Sequence, residues 1–325
     1  MGRDQSQTIL VKCEEDTNPK FGCPPKQRPL LEYLQHGIVN IDKPSGPTSH
    51  QVSTWVRDIF GFKKAGHSGT LDPKVTGVLP IALEKATRVL QALLLSRKVY
   101  VGALKLHHDI PIEKLKTAMR YFEGEIYQRP PLKSAVKRQL RIRRIYEFRL
   151  MEMDGRKVLF RAECESGSYV RKLCHDLGLY LGCGASMHDL RRIRAGPFDE
   201  STMVTLHDLR DAWEFYKEDG EEEEIRKCVK PMEMAVEELN KIWVKDSAVD
   251  ALCHGSPLHA PGVVKLTSTI KPEETVAILT LKGELIALAK SLYSSSKIME
   301  LKHGEIAKLQ RVYMSPGVYP RQWGG

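Results

Sequence analysis

The chain has 325 residues, 42% hydrophobic and 28% charged, which allows about two domains with substantial cores. Fifty Lys and Arg against 41 Asp and Glu give a formal net charge of +9, the sign expected of a protein that binds a polyanion. No apolar run approaches the ~20 residues of a membrane span, the opening Met1–Gln7 stretch lacks an apolar signal core, and seven cysteines without CxxC or zinc-like spacing read as reduced thiols rather than a disulfide or zinc scaffold.

Residues 1–35 are polar and punctuated by Pro19, Pro24, Pro25 and Pro29, which predicts an irregular arm. A short strand is expected over Ile38–Ile41, then a turn through Asp42–Pro47 and a helix capped at Thr48/Ser49. Val52, Trp55, Val56, Ile59 and Phe60 share one face of that helix, and Gly61 stops it. A second apolar face is formed by Ala86, Val89, Leu90, Leu93 and Leu94. Residues 98–106 and 158–164 read as strands, and Ser168 as the cap of a helix whose apolar face is Val170, Leu173, Cys174, Leu177 and Leu181. The acidic run Glu221–Glu224 reads as solvated surface. Near Pro231 to residue 239 the character changes to closely spaced turns (His254-Gly255, Pro261-Gly262) and strands at 275–281 and 284–290. The fold class is therefore α+β, because strands and helices mix without a βαβ rhythm.

Three places carry residues suited to chemistry. Gly66-His67-Ser68-Gly69-Thr70-Leu71-Asp72-Pro73 sets one carboxylate between flexible glycines and a rigid proline, ahead of an apolar strand. On the residues alone an ordinary Asp-Pro turn stays open. Gly167-Ser168-Tyr169-Val170-Arg171 places a forked cation in a helix's first turn, where free N–H groups already favour an anion; a surface arginine is the plain alternative. Tyr100, in Lys98-Val99-Tyr100, is either a strand aromatic in the core or a ring that stacks on an unstacked base. Leu190, taken alone, is a core residue. Between Lys133 and Arg144 six basic residues fall in twelve positions, a run suited to backbone phosphates.

The Asp72 loop, continued by Lys74-Val75-Thr76-Gly77-Val78-Leu79-Pro80, resembles the catalytic loop of TruB-type pseudouridine synthases. It is most similar to the guide-RNA-dependent branch, archaeal and eukaryotic dyskerin. Ile41-Asp42-Lys43-Pro44-Ser45-Gly46-Pro47-Thr48-Ser49-His50 and Gln128-Arg129-Pro130-Pro131-Leu132 belong to the same resemblance, which runs from about Thr17 to Trp323. It implies an N-terminal arm (1–35) packed on a C-terminal PUA domain (239–325), and a mixed-sheet pseudouridine synthase core (36–238) between them. Asp72 is implied as nucleophile, Arg171 as its partner in a buried ion pair, and Tyr100 as the ring stacked on the target uracil. His67, Tyr169, Leu190, Lys43, Arg141, Arg143 and Arg144 are implied to bind substrate, and His254, Gly255, Pro261 and Gly262 to bind guide RNA. This chain has Ser168 and Val170 where the family has Thr and Ile, and Val99 where relatives usually have Glu.

The function implied is the catalytic subunit of an H/ACA guide ribonucleoprotein that isomerises uridines in rRNA, with small companion proteins and no membrane. The isomerisation has no redox step and requires no cofactor. A standalone tRNA pseudouridine-55 synthase is the enzyme alternative, and a non-catalytic RNA-binding scaffold the alternative of another class. The absence of long lysine-rich tails favours an archaeal-type, cytoplasmic form; a eukaryotic one would be nuclear or nucleolar.

Overall fold

The structure, a computed structural model, describes residues 8–130 and 139–321. It divides into two compact units, one of residues 37–230 and one formed by the chain before and after them.

In the 37–230 unit the described residues build a ten-stranded mixed sheet. Its strands run in the order Val229–Pro231, Gly37–Lys43, Thr76–Leu83, Ala185–Ala195, Lys98–Leu106, Lys157–Cys164, Arg141–Asp154 and Gly124–Gln128. Ala65–His67 and Phe198–Asp199 pair beside this path. Strand Lys157–Cys164 alternates strictly. Val158, Phe160, Ala162 and Cys164 are buried with Leu115, Met119, Leu173 and Leu177 of helices Ile112–Tyr121 and Val170–Leu181, the pattern of a sheet covered on one face. Thr76–Leu83 is buried from Gly77 onward and reads as one apolar run, as a central strand should.

Two glycines let these strands close up. A Cβ on Gly102 would lie 2.6 Å from the Phe160 ring and 2.8 Å from Leu190 Cδ1. One on Gly77 (φ +98°) would lie 2.2 Å from the Arg192 carbonyl oxygen.

Helix Ser49–Phe60 has the capping box expected of Thr48, with the Gln51 side chain returning the bond, and ends at Gly61. Val52, Val56 and Phe60 are buried, but Trp55 is 44% exposed. The face around Ala86 forms as a 3-10 segment, Glu84–Val89, running into helix Leu90–Leu95; Leu94 is 42% exposed on it.

The other unit is built on a seven-stranded sheet ordered Ile9–Val11, Val263–Thr267, Asn240–Val244, Thr275–Thr280, Leu285–Ser291, Glu305–Val312, Leu258–His259. The arm, expected to be irregular, thus contributes the edge strand Ile9–Val11, with Leu10 opposite Leu266, and ends in the short helix Leu30–Gln35. Further along it, the Thr17 hydroxyl and Asn18 N–H donate to the Asp246 carboxylate. Cys23 N–H and the Tyr319 hydroxyl donate to Glu284 at 3.1 and 2.7 Å, and Arg28 pairs with Glu233 at 2.7 Å. Ile242, Val244, Ile278, Ile286 and Ile306 form its core.

Candidate active site

The loop carrying Asp72 is held by its backbone. The Lys43 ammonium donates to the carbonyls of Pro44, Pro73 and Val75, each at 2.9 Å. Leu71 N–H donates to Ser49 Oγ at 2.9 Å, Gly46 N–H to Pro73 O at 2.9 Å, and Val75 N–H to Asp72 O at 2.9 Å. Leu71 and Val75, on either side of the carboxylate, are buried in the same core as Tyr100 and Leu190. These anchors leave the Asp72 side chain pointing outward on a clamped loop. Lys43 is wholly buried, so the expectation that it binds RNA is corrected: with all three donors on loop carbonyls, it holds the loop. Burial pushes its pKa down, and Asp72 opposes that shift.

Arg171 Nη2 donates to Asp72 Oδ2 at 3.0 Å. The two side chains are 51% and 59% exposed, which corrects the expected buried pair to a solvent-facing one. The helix begins at Val170 with Tyr169, not Ser168, in the capping position, and no side chain of its own caps it. Gln128, 2% exposed on the neighbouring sheet edge, does that work instead. Its Oε1 accepts from Tyr169 N–H at 2.9 Å and its Nε2 donates to Tyr169 O at 3.2 Å. The signal was present in the sequence, since Gln128 opens the Gln128–Leu132 block. Its reach across 41 residues was not.

Tyr100 is 9% exposed and Leu190 6% exposed, both close to Leu71 and Val75 in one apolar cluster. Burial raises the Tyr100 phenol pKa, with the Arg192 guanidinium acting against it. His67, half-buried on strand Ala65–His67, has its pKa lowered by burial and then by Arg192 and His50. Tyr169 is half-buried beside Arg171. Arg192 was missed altogether. It is 1% exposed and donates from Nε to Val78 O at 2.7 Å.

The basic run divides. Lys133, Lys137 and Arg138 lie outside the described residues. Arg141, Arg143 and Arg144 open strand Arg141–Asp154, opposite Gln128, Ile126 and Glu125. A strand's side chains alternate, so Arg143 and Arg144 point to opposite faces and the three arginines do not form one clamp. Arg143 packs over Gly167, in the segment leading to Arg171, where a Cβ would meet its Nε at 3.2 Å. Arg144 is exposed, 5.9 Å from the Tyr146 ring.

In the other unit, His254 ends helix Asp246–Cys253. Its Nδ1 lies 2.8 Å from Asp250 O and its Nε2 3.3 Å from Arg321 Nη2. Gly255 (φ +92°) is exposed next to it, and Pro261-Gly262 lie in the short turn Ala260–Gly262. Among the described residues no three His, Cys, Asp or Glu side chains converge on a metal-sized site, and no helix is long and apolar enough to cross a membrane.

Four family models match in sequence: a DKCLD (NUC011) domain over residues 4–53, the TruB family pseudouridylate synthase N-terminal domain over 57–170, the tRNA pseudouridylate synthase B C-terminal domain over 171–237, and a PUA domain over 240–313. A Methanopyrus kandleri protein named "Probable tRNA pseudouridine synthase B" is 52% identical over 99% of this chain and 95% of its own length. A Pyrococcus abyssi protein of the same name is 53% identical over 98% and 96%. Among solved structures, a chain of a Cbf5-Nop10-Gar1 complex superposes with TM-score 0.91 at 52% identity, covering 98% of this chain and 97% of that one. A chain of an H/ACA RNP bound to a substrate RNA containing 2'-deoxyuridine does so with TM-score 0.91 at 49% identity, covering 98% of each.

Proposed function

Because this chain belongs to the TruB family of pseudouridylate synthases, we propose that it isomerises uridines in rRNA as the catalytic subunit of an H/ACA guide ribonucleoprotein. The observation that carries this reading is likeness over 98% of both chains to the protein of an H/ACA RNP bound to substrate RNA, at 49% identity. Guide RNA and small companion proteins are its partners, and a cytoplasmic location goes with an archaeal-type protein.

The reaction breaks the C1′–N1 bond of uridine, turns the base, and joins C1′ to C5, with no change in atoms or oxidation state. Asp72 supplies the nucleophilic carboxylate. Its backbone is fixed by Lys43, Ser49 and Gly46 while its oxygens face solvent, which suits attack on a nucleotide delivered from outside. Arg171, 3.0 Å away, orients that carboxylate. Tyr100 and Leu190, packed with Leu71 and Val75 beside the loop, take the extruded base, and His67, Tyr169 and Arg143 bind around it. His254, Gly255, Pro261 and Gly262 are proposed as guide contacts within the PUA domain.

The names of the archaeal relatives favour a second substrate, tRNA. Product mapping on rRNA and tRNA, with and without guide RNA and companion proteins, separates the two. Guide-dependent pseudouridine at rRNA positions is expected. Modification of tRNA alone, indifferent to guide, would replace the rRNA reading with the tRNA one, and no product on either RNA would remove both.

A further inference from the structure

A buried guanidinium is costly unless each side of its fork finds an acceptor. Arg192 is among the largest fully buried side chains of the protein, at 1% exposure. Its Nε donates to Val78 O at 2.7 Å and its Nη2 reaches Gly69 O at 3.4 Å, while Nη1 lies 3.9 Å from where a Gly69 Cβ would be. The guanidinium also opposes the upward push that burial gives the Tyr100 phenol pKa. Among the described residues these side-chain partners are carbonyls, with no carboxylate in the set. Holding a cation in the interior without a counter-ion costs desolvation that its hydrogen bonds must offset. Its value has to lie in what it connects.

What it connects is the two halves of the site. Gly69 precedes Asp72 in the loop and Val78 follows it in the strand, so the fork grips the chain on both sides of the carboxylate. Tyr100 sits directly opposite Arg192 in the antiparallel ladder between strands Lys98–Leu106 and Ala185–Ala195. Gly77 sits opposite Arg192 in the parallel pairing with Thr76–Leu83, so closely that no Cβ fits. One residue therefore bonds the backbone before and after Asp72 and stands across the ladder from Tyr100. We propose that Arg192 is a positioning residue for the isomerisation, holding the Asp72 loop and the Tyr100 ring in a fixed relation from beneath. This rests on Asp72 and Tyr100 acting as assigned above. Arg192 is buried and does not touch the RNA.

The test uses the full chain, assembled with guide RNA and companion proteins, carrying Arg192→Lys and separately Arg192→Met. Lysine keeps the charge, but it ends in a compact ammonium rather than a planar fork, so it cannot reproduce the separate placements of Nε on Val78 O and Nη2 on Gly69 O. Methionine removes every donor. Single-turnover pseudouridine formation at saturating protein should fall about tenfold or more for Arg192→Lys, since small displacements of reacting groups cost rate steeply. Affinity for substrate RNA should stay within about threefold of wild type, because the lost contacts are internal ones and phosphate contacts dominate RNA affinity. Hydrogen exchange in residues 66–75 should speed up, while helix Ile112–Tyr121 keeps its protection. Should Arg192→Met fail to give a cooperative melt, Arg192→Lys decides.

An Arg192→Lys protein with the wild-type rate and wild-type loop protection overturns the proposal. So does a loss confined to RNA affinity. The exchange measurement needs no turnover. An inactive wild-type assembly would therefore count against the function proposed above, while loop protection still decides the case of Arg192.

Discussion

Arg171→Ala should separate rate from stability, and the exposure of the ion pair sets both magnitudes. Arg171 and Asp72 stand 3.0 Å apart with roughly half of each side chain open to solvent. Exposed pairs of this kind contribute about 0–1 kcal/mol, so the variant should melt within about 2–4 °C of wild type, the shift expected for about 1 kcal/mol in a unit of this size. The loss of rate should be far larger. Bound RNA displaces the water that screens the pair. Two charges 4 Å apart attract by about 1 kcal/mol in water and about 4 kcal/mol at an effective dielectric constant of 20. The difference of about 3 kcal/mol corresponds to about a hundredfold in rate, lost when Arg171 no longer holds the carboxylate in the closed site. Calorimetry and single-turnover tritium release from C5-labelled uridine in a guide-assembled substrate measure the two effects. Arg171→Lys, which keeps the charge without the fork, should fall between. A melt lowered by about 3 kcal/mol or more would mean the pair bears on folding, against its exposure, and turnover near the wild-type rate would refute the pairing's role in the reaction.

Asp72→Asn should abolish tritium release while RNA affinity stays nearly intact, because the amide keeps the shape and loses the nucleophile; release near the wild-type rate would sink the assignment. Lys43→Met should cost about 2–4 kcal/mol, since three carbonyls around a buried ammonium lose their donor at once, and a melt unchanged from wild type would show that the loop holds without it. Arg143→Ala should reduce the salt slope of substrate-RNA binding by about 0.7, the increment per phosphate on single strands, whereas Arg144→Ala, on the opposite face, should leave it unchanged. Equal slopes for the two variants would contradict the division of the strand's faces.

Elements written in a single period were legible from the residues. The strand at 98–106 and the face Val170, Leu173, Cys174, Leu177, Leu181 form as the pattern directs, with all five of those residues buried. Periodicity gives the direction of an apolar face but not its width. In helix Ser49–Phe60, Trp55 and Phe60 lie at opposite margins of the same stripe. Phe60 is covered because Phe62 stacks on it at 5.4 Å and Trp213 meets it edge-on at 5.2 Å, while among the described residues no aromatic ring packs on Trp55 in the same way. That choice depends on Trp213, some 150 residues away in sequence, and no window centred on the helix contains it. The capping of Tyr169 by Gln128 is the same case in polar form.

The charged residues that shape the site were the hardest to read, for a physical reason. Lysine and arginine are rarely buried, so a basic side chain beside a catalytic motif in a protein of net charge +9 reads most naturally as a phosphate contact. Lys43 and Arg192 depart from that habit because a loop of this kind exposes more backbone carbonyls than backbone donors can satisfy. Pro73 has no N–H to give, and the turn at Asp72–Val75 leaves the carbonyls of Pro73 and Val75 facing inward, where an ammonium with three donors meets both and Pro44 as well. Arg192 does the same at the far side with a fork matched to Gly69 and Val78. The two cations are thus fixed by the backbone they serve rather than by any acid. Their burial leaves the outward face of the loop to Asp72 and Arg171, both open to an incoming nucleotide. A carboxylate held on a rigid backbone, with its own oxygens unburied, meets the two demands of the reaction: precise placement before the base arrives and room for it to enter.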